Sequence, residues 1–311
     1  MNKITYKNLR QKLNFKFQRH FFWKQIAFDF TLLASMFGLF QTSYAIINVF
    51  LIPIFMFRQF SILHEAVHGL SHPSSKTNQV IGIISGAFCL TPYAVWKVAH
   101  LKHHYWTGNL EQDPTFSIIK SYEQSSSFKK RLIQSTWKSG VPLLAALQHL
   151  GFWIYCLKGK KSLENTLSLI VPLTTYIIAF SQLNLINVVI CFVGVGLYFR
   201  IYEDMIVPQH FGMYSDDDAS HHPAAWDQQD ITRTWYLAPA LEKHVVLNMN
   251  YHTEHHLFPD LPWHQLDRAH KLLLQEKENI NLVTQNWMQS QRQRPFAEVI
   301  VPIPSRKKNA A

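Results

Sequence analysis

The two long stretches without any charged residue restrict most strongly what this chain can fold into. No Asp, Glu, Lys or Arg occurs from Phe30 to Phe57 or from Thr166 to Phe199. A helix needs about 20 consecutive apolar residues to cross the hydrocarbon core of a bilayer. Each stretch is therefore long enough for a hairpin of two helices or nearly so. The sequence predicts an integral membrane protein of the all-α class.

We expect four transmembrane helices, arranged as two hairpins, at about residues 26–40, 44–63, 166–180 and 185–202. Both hairpin tips lack Lys and Arg, whereas residues 1–24 carry seven basic residues and no acidic one. The positive-inside rule then places both termini in the cytoplasm. Residues 77–96, which contain two glycines and a proline, predict a re-entrant or interfacial helix. Residues 141–157 predict a helix at or near the interface.

The whole chain, residues 1–311, is interpreted as a single domain. Residues 64–165 and 203–290 form a cytoplasmic helical cap on the spans. A charged fraction of 16% with 48% hydrophobic residues excludes a disordered protein. The net charge of +10 suits loops that face anionic lipid. No nucleic-acid partner is expected, because no nucleic-acid-binding motif accompanies the basic residues.

Three histidine clusters carry the chemical signal. The chain has seventeen histidines, and eight of them fall at helical spacings of three or four residues, which place side chains on one face of a helix. Neutral imidazole is a good ligand for iron, zinc and copper. Eight imidazoles are too many for one four-coordinate zinc, so we expect a pair of metal ions, with iron favoured. The eight are His64, His68, His100, His103, His104, His252, His255 and His256.

The clusters, in this order beside these spans, resemble those of the membrane-bound fatty acid desaturase and hydroxylase superfamily over about residues 40–270. Other similar stretches are Pro92–Trp96, Asn109–Pro114, Gln209–Gly212, Thr232–Thr234 and Asn250–Pro259. The resemblance implies that the eight histidines are ligands of two iron ions and serve catalysis with O2 as co-substrate. It also implies a ninth ligand after the last span. His210 fits that place best, with His221 and His222 as competitors. Gln209 stands where relatives often have glutamate.

The resemblance implies an O2-dependent desaturase that inserts a double bond into the acyl chain of a lipid. A di-iron hydroxylase or ketolase of acyl lipids, carotenoids or a small molecule stays open. A separate electron donor, a ferredoxin or a b-type cytochrome with its reductase, is implied, because the chain carries no flavin or nicotinamide fingerprint. The Lys307-Lys308 pair is offset from the usual dilysine spacing, which favours a bacterial inner membrane over the endoplasmic reticulum.

Two other classes of function fit part of the sequence. His64-Glu65-Ala-Val-His68 is a literal H-E-x-x-H, the motif of zinc metalloproteases, but a protease gives no role to the other two clusters. A metal transporter would place its ligands within the spans.

Several further residues carry expectations about the surroundings of the site. Carboxylates near the histidines are candidate partners for the second ring nitrogen of a ligand: Glu65, Glu111, Asp113 and Glu254. Glu203 and Asp204 close the last span and are expected to pair with Arg200 or Arg233. Five tryptophans are interpreted as an interfacial belt or as walls of a substrate tunnel, with the belt favoured: Trp96, Trp106, Trp226, Trp235 and Trp263.

Overall fold

The computed structural model describes residues 1–206, 209–213, 222–278 and 280–301 and is mostly helical. The helices before residue 140 are α1 (Lys3–Gln11), α2 (Arg19–Phe40), α3 (Asn48–Val67), α4 (Ser75–Phe88), α5 (Tyr93–Trp106), α6 (Ser117–Glu123) and α7 (Ser127–Ser139). The later helices are α8 (Leu143–Lys158), α9 (Leu163–Ser181), α10 (Leu185–Met205), α11 (Pro239–His244), α12 (His252–Leu257), α13 (Leu266–Gln275), α14 (Gln285–Gln293) and α15 (Phe296–Val299). Two short strands, β1 (Thr234–Trp235) and β2 (Leu282–Val283), pair in parallel.

Three segments of the described chain are long and apolar enough to cross a membrane. They are Ala45–Val67, which contains α3, and the helices α9 and α10. They match three of the four predicted spans. The fourth, 26–40, lies within α2, which does not reach that level of hydropathy and carries Lys24 and Asp29. The number of four spans therefore remains a prediction.

Two pairs of helices are sharply bent where the sequence predicts re-entrant or interfacial pieces. The α4–α5 pair turns by 105° and the α7–α8 pair by 118°, and counting each pair as one span gives five. The α4–α5 bend falls at residues 89–92, just before Tyr93. Proline at position 92 lacks a backbone N–H donor and fits the first turn of a new helix but not a helix interior.

Helix α3 is the central helix of the membrane part, and it contacts α2, α4 and α10. A Cβ atom on Gly194 of α10 would lie 2.8 Å from Cβ of Ile52 on α3, so glycine permits the close approach of these two helices. The outward faces of α9 and α10 expose apolar side chains such as Ile177, Ile178 and Phe192. Adjacent exposed apolar side chains of this kind suit contact with lipid.

A second hydrophobic cluster packs helices around the end of α3. It contains Leu247, Phe258, Leu266 and Leu273, and Leu9 from α1 packs into it. The amino-terminal helix is tied down further by an ion pair between Arg10 and Asp260. These contacts fix α12 beside the end of α3.

Candidate metal centre

Nine histidine side chains converge from three helices and one turn. Helix α3 supplies His64, with His68 at its end. The last two turns of α5 and the short helix α12 supply three each, and the turn 209–213 supplies His210. These are the eight histidines of the three predicted clusters, here called boxes (residues 64–68, 100–104 and 252–256), and the favoured ninth candidate. Their ring nitrogens form two groups, and within each group the nitrogens lie within 4.8 Å of one another.

We call the two groups the five-histidine group and the four-histidine group. The first contains His64, His68, His100, His104 and His255. The second contains His103, His210, His252 and His256. The groups are adjacent, because the rings of His104 and His256 stack with centroids 4.3 Å apart.

Helical spacing explains how the histidines divide between the groups. Residues four apart on an α-helix differ in direction by about 40°, whereas positions i+3 and i+4 differ by about 100°. Accordingly each i,i+4 pair stays within one group, and in the second and third boxes the third histidine, at i+3, joins the other group. The pairs are His64/His68, His100/His104 and His252/His256, and the crossing residues are His103 and His255.

The distances between ring nitrogens fit ligands of a common ion. Nε2 of His68 lies 2.9 Å from Nε2 of His100, and Nε2 of His104 lies 3.1 Å from Nε2 of His100. In the other group, Nε2 of His252 lies 2.7 Å from Nε2 of His210. Two nitrogens bound at right angles to one ion, each about 2.1 Å from it, are about 3 Å apart. The two groups of side chains therefore fit two metal ions.

Burial favours the neutral, metal-binding form of four of these imidazoles. It lowers the pKa of His210, His252, His255 and His256 well below the usual 6.5, and the neighbouring histidines lower it further. A metal ion requires the unprotonated ring nitrogen, so a lowered pKa reduces competition from protons.

The four-histidine group has hydrogen-bond partners on the far side of its rings. Nδ1 of His103 lies 2.9 Å from both carboxylate oxygens of Asp113, whose side chain is fully buried. Nδ1 of His256 donates to Oε1 of Gln228 at 2.7 Å, and Nδ1 of His210 donates to the carbonyl of Ile231 at 3.1 Å. Such partners fix the ring orientation and leave Nε2 free for metal.

Of the four carboxylates predicted as such partners, only Asp113 contacts a histidine of the two groups. Glu254 instead accepts hydrogen bonds from His270 and Thr234, and exposed Glu111 pairs with Lys120. Glu65 borders a separate, water-sized cavity beside Phe21 and Trp263. The prediction is thus wrong for three of the four. Because Glu65 lies away from the histidines, the H-E-x-x-H motif lacks the general base that a metalloprotease requires.

His222, one of the two competitors for the ninth position, lies apart from both groups. It is exposed and stacks on Tyr105, with ring centroids 4.5 Å apart. His221 falls outside the described residues. His210 lies in the four-histidine group, and its neighbour Gln209 is buried and lines the large cavity described below.

The acidic pair at the end of α10 is neutralised by two arginines. Arg200 pairs with Asp204 at 2.5 Å, as predicted, whereas Arg233 donates to the carbonyl of Phe211. The second partner is Arg292, which contacts both Glu203 and Asp204. Sequence reasoning missed it because it lies almost 90 residues further along the chain.

Three of the five tryptophans are buried and do not form an exposed belt. Trp96 lines a large cavity and stacks on His100, while Trp235 and Trp263 pack in the two main hydrophobic clusters. The belt interpretation is wrong for these three, and the tunnel-wall alternative fits Trp96.

A cavity of about 880 Å³ opens onto both histidine groups. Its walls come mainly from α5, α8 and the end of α10 and are largely apolar, with Phe60, Phe152 and Tyr202 among them. Histidines from both groups form part of its lining: His64, His100, His103, His210 and His252. Its volume suits a drug-sized or lipid-chain ligand, since ligand sites commonly measure 300–1,000 Å³.

Comparison with known proteins assigns the chain to a family. A family model described as fatty acid desaturase matches residues 39–284. The chain belongs to the fatty acid desaturase family. All nine histidines of the two groups fall within the matched residues.

The curated relatives are distant, and each is matched over part of its length. The chain is 22% identical over 234 residues to a fatty acid desaturase of Bacillus subtilis, and the match covers 70% of this chain and 64% of that protein. It is 30% identical over 125 residues to an omega-3 fatty acid desaturase of Caenorhabditis elegans, covering 40% and 28%. It is 32% identical over 75 residues to an sn-1 acyl-lipid omega-3 desaturase (ferredoxin) of Synechocystis, covering 24% and 21%.

Proposed function

We propose that this chain is an O2-dependent di-iron desaturase that introduces a double bond into the acyl chain of a membrane lipid. One observation carries the proposal: two groups of clustered histidines both contribute to the lining of one large, mostly apolar cavity. An all-nitrogen pair of sites suits iron. The named desaturase relatives favour a double bond over a hydroxyl group as the product.

The cavity residues bind and orient the acyl chain. Phe60, Phe152 and Tyr202 offer apolar surface to methylene groups, each of which gains about 0.8 kcal/mol on leaving water. Trp96, stacked on His100, forms the wall next to the histidines. When the acyl chain is bound against this wall, it excludes water from its own reacting carbon atoms.

A pair of ferrous ions, when bound, supplies the dioxygen activation and hydrogen abstraction of the reaction. The protein's part is to hold nine imidazoles in two groups. Burial lowers the pKa of His210, His252, His255 and His256, which favours their unprotonated form. Asp113, Gln228 and the carbonyl of Ile231 orient His103, His256 and His210 from behind.

The cationic rim of the cavity supports a lipid with an anionic head group as substrate. Lys102 and Lys160 line the cavity and are exposed. Glu164 also lines the cavity, but its carboxylate is paired with Lys97 at 3.2 Å. An acyl chain inside and a phosphate at the rim would place both parts of a phospholipid in favourable surroundings.

Four spans with both termini in the cytoplasm remain our proposal for the topology, as does a bacterial inner membrane as the location. The basic segment of residues 1–24 supports a cytoplasmic amino terminus. Two membrane hairpins would bring all three histidine boxes to the cytoplasmic side, where α12 closes the site over the end of α3.

A separate ferredoxin or b-type cytochrome would supply the electrons. The Synechocystis relative carries ferredoxin in its name. Helix α7 exposes Lys129, Arg131 and Lys138 and contains no acidic residue. A basic face of this kind steers an acidic redox protein towards the cap.

The test is a mass-resolved profile of membrane lipids from cells that express the chain with a ferredoxin and its reductase. Acyl chains lighter by two hydrogens, absent with His255→Ala, are the expected result. His222→Ala is the matched control, because this exposed histidine lies outside both groups. A gain of one oxygen would make the protein a hydroxylase. Unchanged lipids with verified iron loading would contradict an acyl-lipid substrate.

A further inference from the structure

The two histidine groups differ in what lies behind their rings. In the four-histidine group, Asp113 places a buried carboxylate against Nδ1 of His103, with both oxygens at 2.9 Å. The carboxylate is itself held by the backbone N–H groups of Gly108, at 3.3 Å, and Thr115, at 2.9 Å. A negative charge is thus built into the second layer of this group.

The five-histidine group has no such partner in the described part of the chain. Nδ1 of His64 and Nδ1 of His255 are buried there without a hydrogen-bond acceptor. Asp260 influences His68 electrostatically, but its carboxylate is bound by both terminal nitrogens of Arg10. Glu65 and Glu254, the two acidic residues inside the boxes, face other neighbours.

We propose that Asp113 is a positioning residue for one metal ion only, so that the two ions of the centre are unequal in affinity and in electronic environment. The inference rests on the proposed metal centre but not on the reaction or its substrate. A carboxylate behind a ligating imidazole orients the ring and raises its basicity, and loss of such a partner commonly weakens metal binding by about 10–100-fold. The ion of the five-histidine group would be bound by imidazoles that have no carboxylate behind them in the described residues.

The test is metal binding by the full-length protein in detergent after removal of metal. Co²⁺ titration of the wild type is expected to fill two sites per chain. Asp113→Asn keeps the size of the side chain but removes its charge, and we expect it to weaken one site by about 10–100-fold and to leave the other unchanged. Asp113→Glu restores the charge and is expected to recover part of the loss. Glu111→Gln is the matched control, since it removes a carboxylate from the same loop that pairs with Lys120 at the surface.

Mössbauer spectroscopy of the ⁵⁷Fe²⁺-loaded protein supplies a second readout. The wild type is expected to show two distinct quadrupole doublets, and Asp113→Asn is expected to change only one of them. Equal weakening of metal binding at both sites would overturn the inference. Unchanged metal binding at both sites in Asp113→Asn would also overturn it. A single doublet in the wild type would overturn it even if Asp113→Asn fails to fold. Two bound ions without any double bond formed would contradict the proposed function instead.

Discussion

The indole of Trp96 stacks on the imidazole of His100, with ring planes 8° apart and centroids 4.4 Å apart. Both residues lie on α5, one turn apart, and both line the large cavity. Trp96 therefore touches a predicted ligand of the five-histidine group and the proposed acyl site at once.

Replacing Trp96 by leucine is expected to impair substrate positioning without loss of metal. An aromatic contact of this kind contributes about 1 kcal/mol, equivalent to about a fivefold change in rate. We expect turnover to fall by about that factor and the position of the double bond to become less uniform, while iron content stays unchanged. Product fragmentation and metal analysis of the same preparation would check this, and loss of iron in Trp96→Leu would assign the residue a structural role instead.

Gly151 on α8 leaves unfilled space in the cavity. A Cβ atom added there would meet nothing within 4 Å, and the residue lines the cavity. Leucine at this position would displace about two methylene groups of a bound chain, a loss of about 1.6 kcal/mol of apolar burial. We therefore expect Gly151→Leu to lower product formation by about tenfold.

The control for this change is Gly196→Leu. Gly196 is also a mid-helix glycine with open space around its Cβ position, but it does not line the cavity. Both substitutions remove a glycine from a helix and are expected to preserve stability. Equal product levels from Gly151→Leu and Gly196→Leu would rule out the cavity as the acyl site.

A buried ion pair joins α2 to α3. Nε of Arg58 donates to Asp29 at 2.5 Å, and its side chain also bonds the carbonyl of His244. Removing one member of a buried pair commonly costs about 3–5 kcal/mol, because the other charge loses its partner. We expect Arg58→Met to lower the free energy of unfolding in micelles by that order and Arg58→Met with Asp29→Leu to recover most of it. A double variant as unstable as the single one would show that the pair itself is not the cause.

The metal-free protein is expected to lose stability as the pH falls below about 6.5. In the unfolded chain histidines take up protons near that pH. In the folded protein burial holds the pKa of His210, His252, His255 and His256 well below it. The unfolded state then binds more protons, so the free energy of unfolding decreases by up to about 1.4 kcal/mol per pH unit for each such histidine.

Thermal melts of the metal-free protein at pH 7.5, 6.5 and 5.5 would measure this dependence, at roughly one-unit steps around the histidine pKa. The expected result is a shallow change above pH 6.5 and a steep fall below it, reduced when metal is bound. A melting temperature that rises on acidification would contradict neutral, buried histidines.

Sequence spacing predicts which helical faces carry the histidines, but not how the helices meet. The i,i+4 pairs, such as His252 and His256, point the same way because of helix geometry alone. That His255 joins the group of His64 while His252 joins that of His103 depends on the placement of α12 in the cap, which local sequence does not encode. The apolar runs likewise predict part of the membrane helices but not all of them. They predict three of the candidate spans well, whereas α2 mixes apolar residues with Lys24 and Asp29 and stays ambiguous.

Polar partners were the least predictable part of the site. Asp113 and Glu111 lie two residues apart in one loop. The turn capped by Asp113 directs the Asp113 side chain towards His103, whereas Glu111 faces solvent. Gln228, which accepts from His256, is 28 residues away along the chain and belongs to no recognisable motif. Such long-range contacts follow from the tertiary fold.

The number of metal ions held by the purified, full-length protein tests the proposed di-iron centre most directly. We expect two iron ions per chain in the wild type, because the nine histidines form two groups. His255→Ala is expected to weaken binding of the ion in the five-histidine group and His252→Ala that in the four-histidine group, while His222→Ala retains both. A wild-type protein that binds a single ion per chain, with all nine histidines intact, would contradict the proposed di-iron centre.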